Sequence, residues 1–169
     1  LHALPVFINY GQRNYQEEFS SLVENCSMHQ FRPPQVFDLR SFGENIETGL
    51  TSGKKLVLED AFTPNRNLFF LTVAASLAYH KGCTTVALGF LSADTAIFPD
   101  QTDLFLSSAQ ALLSLSLGAE MKIICPLRDF RKADVVALAE KIGIDRHYSC
   151  HSGGVPCGKC IACLEYGDS

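Results

Sequence analysis

Apolar and polar positions alternate along this chain between short compact runs and longer periodic stretches. "ALPVFINY" (3–10), rich in β-branched and aromatic residues, predicts a buried strand. In "YQEEFSSLVENC" (15–26), Tyr15, Phe19, Leu22, Val23 and Cys26 recur at helical intervals. "QVFDLR" (35–40), entered through Pro33 and Pro34, predicts a second strand. Residues 41–62 show little periodicity and several Gly, Ser and Thr, and are expected to form a surface excursion. "NLFFLTVAASLAYHKG" (67–82) is nearly all apolar, which predicts a buried helix closed by Gly82. "TTVALGFL" (84–91) and "MKIICPL" (121–127) predict strands on either side of a helix over 103–118, which ends at Gly118. "KADVVALAEKIG" (132–143) is an amphipathic helix stopped by Gly143.

This alternation predicts an α/β fold in one domain over 1–169, a doubly wound parallel sheet followed by a cysteine-rich C-terminal segment, 147–169. Such sheets bind ligands at the carboxyl ends of their strands. The residues there are "YGQRN", "SAD" and "PLRDFRK", and "TPNRN" adds Arg66 at a helix start that favours an anion. Each singled-out residue also has a plain structural reading. Arg66 can satisfy carbonyls or pair with an acid, and Asp94 can be a turn or cap residue. Lys132 can be a solvated first-turn lysine, although its charge opposes the helix dipole there.

Composition narrows the classes. The chain has 169 residues, 47% of them hydrophobic, and a formal net charge of −4. That length suffices for one buried core without disulfide staples. Basic residues are scattered rather than striped, so no nucleic-acid footprint is visible. No apolar run approaches the roughly 18 residues that span a bilayer. "LHALPVFINYGQ" has neither the basic region nor the cleavage pattern of a signal peptide. Seven cysteines, an odd number, argue against a secreted disulfide framework, so the cytoplasm is the expected location.

Four of those cysteines crowd into "CHSGGVPCGKCIAC" (150–163), with spacing C-x6-C-x2-C-x2-C. Two C-x2-C steps can turn thiolates toward one point, and four thiolates close a tetrahedral shell around structural Zn²⁺. The ligands are Cys150, Cys157, Cys160 and Cys163, with Gly153, Gly154 and Gly158 supplying the backbone freedom of a tight knuckle. An iron–sulfur cluster and a redox C-x2-C pair are the competing readings. His147 and His151 flank the cluster as substitute ligands. Cys26, Cys83 and Cys125 lie in apolar stretches and are expected to be small buried hydrophobes.

"INYGQRN", "PNRNLFFLTVAASLAYHKG", "ALGFLSADTAIFPD", "PLRDFRKADVVALAEKIGI" and "YSCHSGGVPCGKCIAC" occur in that order over residues 6–164. Together they closely resemble the 7-cyano-7-deazaguanine synthase family of queuosine biosynthesis, in the PP-loop group of ATP pyrophosphatases. The resemblance implies an ATP-dependent carbon–nitrogen ligase with the adenine nucleotide alpha hydrolase-like fold. ATP, with Mg²⁺, would adenylate 7-carboxy-7-deazaguanine. Ammonia would displace AMP to give an amide, and a second activation would dehydrate the amide to the nitrile. Zinc would be structural and would order the C-terminal segment over the pocket.

Carried over by position, Tyr10, Gly11, Gln12 and Arg13 would line the nucleotide side, and Arg66 and Asn67 would begin the helix facing it. Asp94, Pro99 and Asp100 would lie near the reacting groups, and Lys132 would neutralise phosphate charge. The catalytic set is Asp94, Asp100 and Lys132. No direct nucleic-acid or membrane partner is implied, and a homodimer follows only by analogy.

The family pattern begins with a strand, an SGGxDS loop and a helix before its "YGQR" strand. The sequence as given does not contain them, so residues 1–169 alone are expected to show negligible ATP–pyrophosphate exchange. Asn14, Phe98, Gln101, Thr102, Tyr148, His151 and Glu165 depart from the family's usual residues. Those departures predict weaker turnover of the usual base. Two alternatives stand beside this reading. One is a diverged member adenylating or conjugating a different substrate, as in a deazaguanine-linked modification. The other is a non-catalytic zinc-stabilised binding module.

Overall fold

The computed structural model describes residues 3–55, 61–144 and 146–167. They form an α/β fold with parallel strands, in two compact units: 1–64 with 136–169, and 65–135. The first unit opens with β1 (Val6–Asn9), α1 (Tyr15–Met28), β2 (Gln35–Asp38) and α2 (Ser41–Asn45). The second holds α3 (Arg66–His80), β3 (Thr85–Ala87), α4 (Asp103–Leu117) and β4 (Lys122–Ile124). Two 3-10 turns, Ala93–Thr95 and Pro99–Gln101, precede α4. The helices α5 (Lys132–Lys141) and α6 (Ile161–Gly167) follow.

Each unit contains one strand–helix–strand crossover. β1 pairs in parallel with β2, Val6 opposite Gln35 and Asn9 opposite Asp38. β3 pairs in parallel with β4, Thr85 opposite Lys122 and Ala87 opposite Ile124. Parallel pairing demands such a crossover, because a tight hairpin cannot reverse the chain direction twice. Among the described residues these pairs are two separate two-stranded ladders. The ladders are shorter than the apolar runs that announced them, since a run continues past the point where its partner ends.

The second unit has an apolar core of Leu71, Ala75, Val86, Ala109, Leu113 and Met121. Phe105, Ala109, Leu113 and Leu117 recur every four residues, which lays one stripe of α4 on that core. The opposite side of α4 faces outward, with Leu104, Leu112 and Leu115 among the exposed large hydrophobic residues. β4 is satisfied partly by side chains of α4. Gln110 Oε1 accepts from Ile123 N–H at 2.8 Å, and Ser114 Oγ accepts from Met121 N–H at 3.0 Å.

In the first unit Phe7, Tyr15 and Phe19 cluster, with Phe7 and Phe19 ring centroids 5.3 Å apart. The stretch 41–62 is only in part the surface excursion its composition suggests: Ser41, Glu44, Asn45, Glu47 and Gly53 to Lys55 are exposed, but the rest is not all outside. Gly43, Thr48, Gly49, Leu50 and Ala61 are buried; residues 56–60 of that stretch lie outside those described. Thr48 and Thr63 bond hydroxyl to hydroxyl at 2.9 Å, and Thr51 Oγ1 donates to Ile46 C=O. Hydroxyls that read as solvent-facing instead satisfy one another inside. Gly43 N–H donates to Tyr10 C=O, and a Cβ there would lie 2.3 Å from that oxygen, so only glycine fits. Cys26 is buried as expected, whereas Cys83 is exposed and Cys125 half-buried.

Candidate metal centre and active-site loops

Cys150, Cys157, Cys160 and Cys163 converge, with their four sulfurs all within 4.8 Å of one another. Around a single ion with Zn–S near 2.3 Å, tetrahedral ligand sulfurs sit roughly 3.8 Å apart. Cys150 and Cys160 Sγ are already 4.0 Å apart. The donor set therefore fits one tetrahedral metal ion. A polynuclear iron–sulfur core would interpose its own sulfides and spread the ligands more widely. Neither His147 nor His151 belongs to the converging group. Cys150 and Cys160 are almost fully buried.

Backbone amides prepare the cluster for negative charge. Cys157 N–H donates to Cys150 Sγ at 3.3 Å, and the N–H groups of Lys159 and Cys160 both donate to Cys157 Sγ at 3.4 Å. The Lys159 amide, then the Ser152 hydroxyl and the Cys160 amide, hold the Cys157 thiol down to about 6. Burial pushes Cys150 up, but the Cys157 and Ser152 amides outweigh it and its thiol ends below the usual value. Burial and the Cys160 thiol push Cys163 up to about 12. Burial, with Cys150 beside it, raises the Tyr148 phenol, whose hydroxyl donates to Gly154 C=O at 2.9 Å.

The cysteine segment lies along α1. Near one end Asn25 Nδ2 donates to Arg146 C=O and Glu24 pairs with Arg146. Near the other, Gly154 N–H donates to Glu17 Oε1 at 2.6 Å. Asn14 Nδ2 donates to Cys150 C=O at 3.0 Å and to Glu18 Oε1 at 2.9 Å. Gly153, at φ +75, passes so close that a Cβ would sit 2.6 Å from Arg13 C=O. The metal cluster is thereby seated on the turn between β1 and α1.

That turn carries four of the residues singled out above. Tyr10 and Gln12 are buried, and Gly11 adopts φ +87. Gln12 Oε1 accepts from Tyr10 N–H, while its Nε2 donates to Ile8 C=O and Glu18 Oε2. Arg13 N–H donates to Leu50 C=O at 2.9 Å, and its Nη1 donates to Gly49 C=O.

In the second unit the other predicted residues gather on two loops and one helix start. Arg66 opens α3 with its guanidinium 5.9 Å over the Phe70 ring. Asn67 Nδ2 donates to Asp100 C=O at 3.4 Å, joining α3 to the turn that holds Pro99 and Asp100. Asp94 lies in the first 3-10 turn and pairs with Arg131, the residue before Lys132. The Ser92 hydroxyl, then Arg131 against an opposing desolvation, holds the Asp94 carboxyl below its ordinary value. Ser92 N–H donates to Phe130 C=O and ties the two loops together.

Sequence reasoning passed over Arg128 and Arg131. The signal was present as three cations in "RDFRK", of which only Lys132 was singled out. The departures at 101 and 102 also have local work. Gln101 Oε1 accepts from the N–H groups of Ile97 and Phe98. Thr102 Oγ1 caps α4 by accepting from Phe105 N–H at 3.2 Å.

Parallel strand–helix–strand crossovers, polar loops beyond their strands and a four-thiol centre define an α/β protein with a C-terminal metal-binding segment. The family described as "Queuosine biosynthesis protein QueC" matches residues 2–167, and the chain belongs to that family, within the PP-loop superfamily. Its relatives include the 7-cyano-7-deazaguanine synthase of Bordetella avium, 31% identical over 96% of this chain and 79% of the relative. That of Staphylococcus epidermidis is 32% identical over 94% and 76%. That of Methanosarcina mazei is 27% identical over 96% and 80%.

Proposed function

We propose that this protein is an ATP-dependent carbon–nitrogen ligase that converts 7-carboxy-7-deazaguanine and ammonia into 7-cyano-7-deazaguanine. The observation that carries this reading is the family match over 2–167, supported by relatives named for that synthesis. The substrate carboxylate attacks the α-phosphate of ATP and expels pyrophosphate. Ammonia then adds to the acyl carbon and AMP leaves, giving the amide. A second ATP activates the amide oxygen, which departs with AMP as the nitrile forms. Tyr10, Gly11, Gln12 and Arg13 serve the nucleotide side, with Arg66 and Asn67 at the head of α3. Asp94, Pro99 and Asp100 border the reacting carbon, and Lys132 offsets the charge that grows on pyrophosphate.

The reading includes a doubly wound sheet with β1 to β4 among its strands, a single domain, and Zn²⁺ on Cys150, Cys157, Cys160 and Cys163. When bound, zinc supplies a closed shell with no open position, hence structure rather than Lewis-acid chemistry. Mg²⁺ accompanies ATP, nucleic acid takes no direct part, and a homodimer in the cytoplasm completes the proposal. Among the described residues no helix is long and apolar enough to cross a membrane.

The local work of Gln101 and Thr102 favours the ordinary substrate over a diverged one, because both side chains serve their own backbone. The test incubates full-length protein with 7-carboxy-7-deazaguanine, MgATP and ammonium, followed by mass spectrometry. Nitrile formation with AMP release is expected. ATP turnover only with a different acid would overturn the substrate, and no adenylation of any acid would overturn the enzyme.

A further inference from the structure

We propose that Arg128 is the positioning residue that fixes the loop carrying Asp94, Pro99 and Asp100. Its guanidinium follows β4 and is mostly enclosed, with 18% of the side chain exposed. Nη1 donates to Leu91 C=O at 2.7 Å and Nη2 to Gln101 C=O at 3.1 Å. Nε and Nη2 also donate to Asp103 Oδ1, at 2.8 and 2.5 Å. Leu91 and Gln101 bracket the loop, so one planar group holds both of its ends. Asp94, Pro99 and Asp100 all fall between those anchors.

The third anchor, Asp103, is the first residue of α4, where a carboxylate is favoured by the helix dipole. A guanidinium presents a rigid fork of donors, whereas an ammonium is a point charge that cannot reach the same acceptors in one geometry. Lysine at 128 would keep the attraction to Asp103 and release at least one carbonyl. Arg40 and Asp38 supply an internal contrast. They also form a fork, at 2.8 to 3.1 Å, but two residues apart and largely exposed, so that fork spans no loop.

The kinetic part of this inference rests on the synthase reading; the structural part does not. The test compares full-length wild type, Arg128→Lys and Arg128→Met by amide hydrogen exchange and steady-state kinetics. In Arg128→Met, exchange over 91–103 should quicken about tenfold or more while α3 stays protected. Displacing catalytic groups by about 1 Å can cost on the order of 100-fold, so kcat should fall and KM for the carboxylated base rise by that combined amount. KM for ATP should change less than KM for the carboxylated base, since Tyr10 to Arg13 are not on this loop and Asn67 meets it at the Asp100 C=O. Arg128→Lys should fall between the other two proteins.

Unchanged exchange over 91–103 in Arg128→Met would overturn the proposal. So would a loss confined to kcat with both KM values intact, which marks a smaller active fraction, or full function in Arg128→Lys. If wild type makes no nitrile, the synthase reading falls and loop exchange alone decides the anchor. Faster exchange then upholds it and unchanged exchange overturns it.

Discussion

The two units hold the polar turns at their strand ends with different mixtures of apolar burial and directional bonds. In the unit of 1–64 and 136–169 the buried polar residues are Asn9, Gln12, Asn14, Thr48 and Thr63, and two almost fully buried residues, Cys150 and Cys160, are metal-type ligands. In the unit of 65–135 the buried residues are Leu71, Ala75, Val86, Ala109, Leu113 and Met121, with Asn67 and Leu77. The second can be held by removing apolar area from water. The first also buries Tyr10, Leu50, Ala61 and Ala162 and clusters Phe7, Tyr15 and Phe19, but its turn adds satisfied hydrogen bonds, close glycine contacts and a metal shell. Directional bonds specify geometry finely but fail together when one anchor is removed.

The largest expected effect follows from breaking the metal shell. Cys160→Ala, or a strong chelator, removes a binding contribution of about 10 kcal/mol or more. Purified protein should carry one zinc per chain, and the substitution should abolish stoichiometric zinc and lower the melting temperature sharply. Iron in its place, or two disulfides without metal, would contradict the assignment.

The core of the other unit should fail in a different way. Leu71 has no exposed surface, so Leu71→Ala should cost about 2–5 kcal/mol through lost burial and a residual cavity. Denaturant unfolding measures that loss, and zinc affinity should be unaffected. A large drop in zinc affinity would blur the contrast between the units.

Replacing Gln101 and Thr102 should do harm on a smaller scale. Gln101→Cys removes the acceptor for two backbone amides, and Thr102→Arg removes the cap of α4. A lost cap costs about 1 kcal/mol and the unpaired amides about as much again. The double variant should melt lower and synthesise no faster than wild type. A gain in turnover would restore the view that these positions select substrate.

The smallest effect is electrostatic. Asp94 titrates below the usual carboxylate value of about 3.9 because the Ser92 hydroxyl and Arg131 favour its charged form. A lowered folded pKa means that its stabilising contribution is present above the unfolded value and is lost as pH falls through the folded one. Carboxyl NMR should place the midpoint below the ordinary value, and Ser92→Ala should move it up. No movement would remove Ser92 from the account.

Local patterns were readable in the sequence and distant partnerships were not. α4 was legible because Phe105, Ala109, Leu113 and Leu117 repeat at one helical spacing, and Gly118 ends it at φ +63. The four thiols were legible because their spacing lies within fourteen residues. Strand ends were overdrawn: β3 is Thr85–Ala87 within an apolar run of 84–91, since a ladder stops with its partner. Burial of Thr48 and Leu50 was hidden because contacts far along the chain create it. Arg128 was hidden for the same reason, its acceptors lying 25 to 37 residues away. Cys83, expected inside, is outside because it follows the end of α3 rather than facing the core.

The central claim is that the metal shell holds the β1–α1 turn, through Asn14 to the Cys150 carbonyl and through Gly153 against Arg13. Amide hydrogen exchange on zinc-loaded and chelated protein tests it most directly, comparing residues 8–18 with α3 and α4. The account predicts that chelation quickens exchange over 8–18 together with 147–163, while α3 and α4 keep their protection. Faster exchange over 147–163 alone, with 8–18 as slow as before, would contradict it.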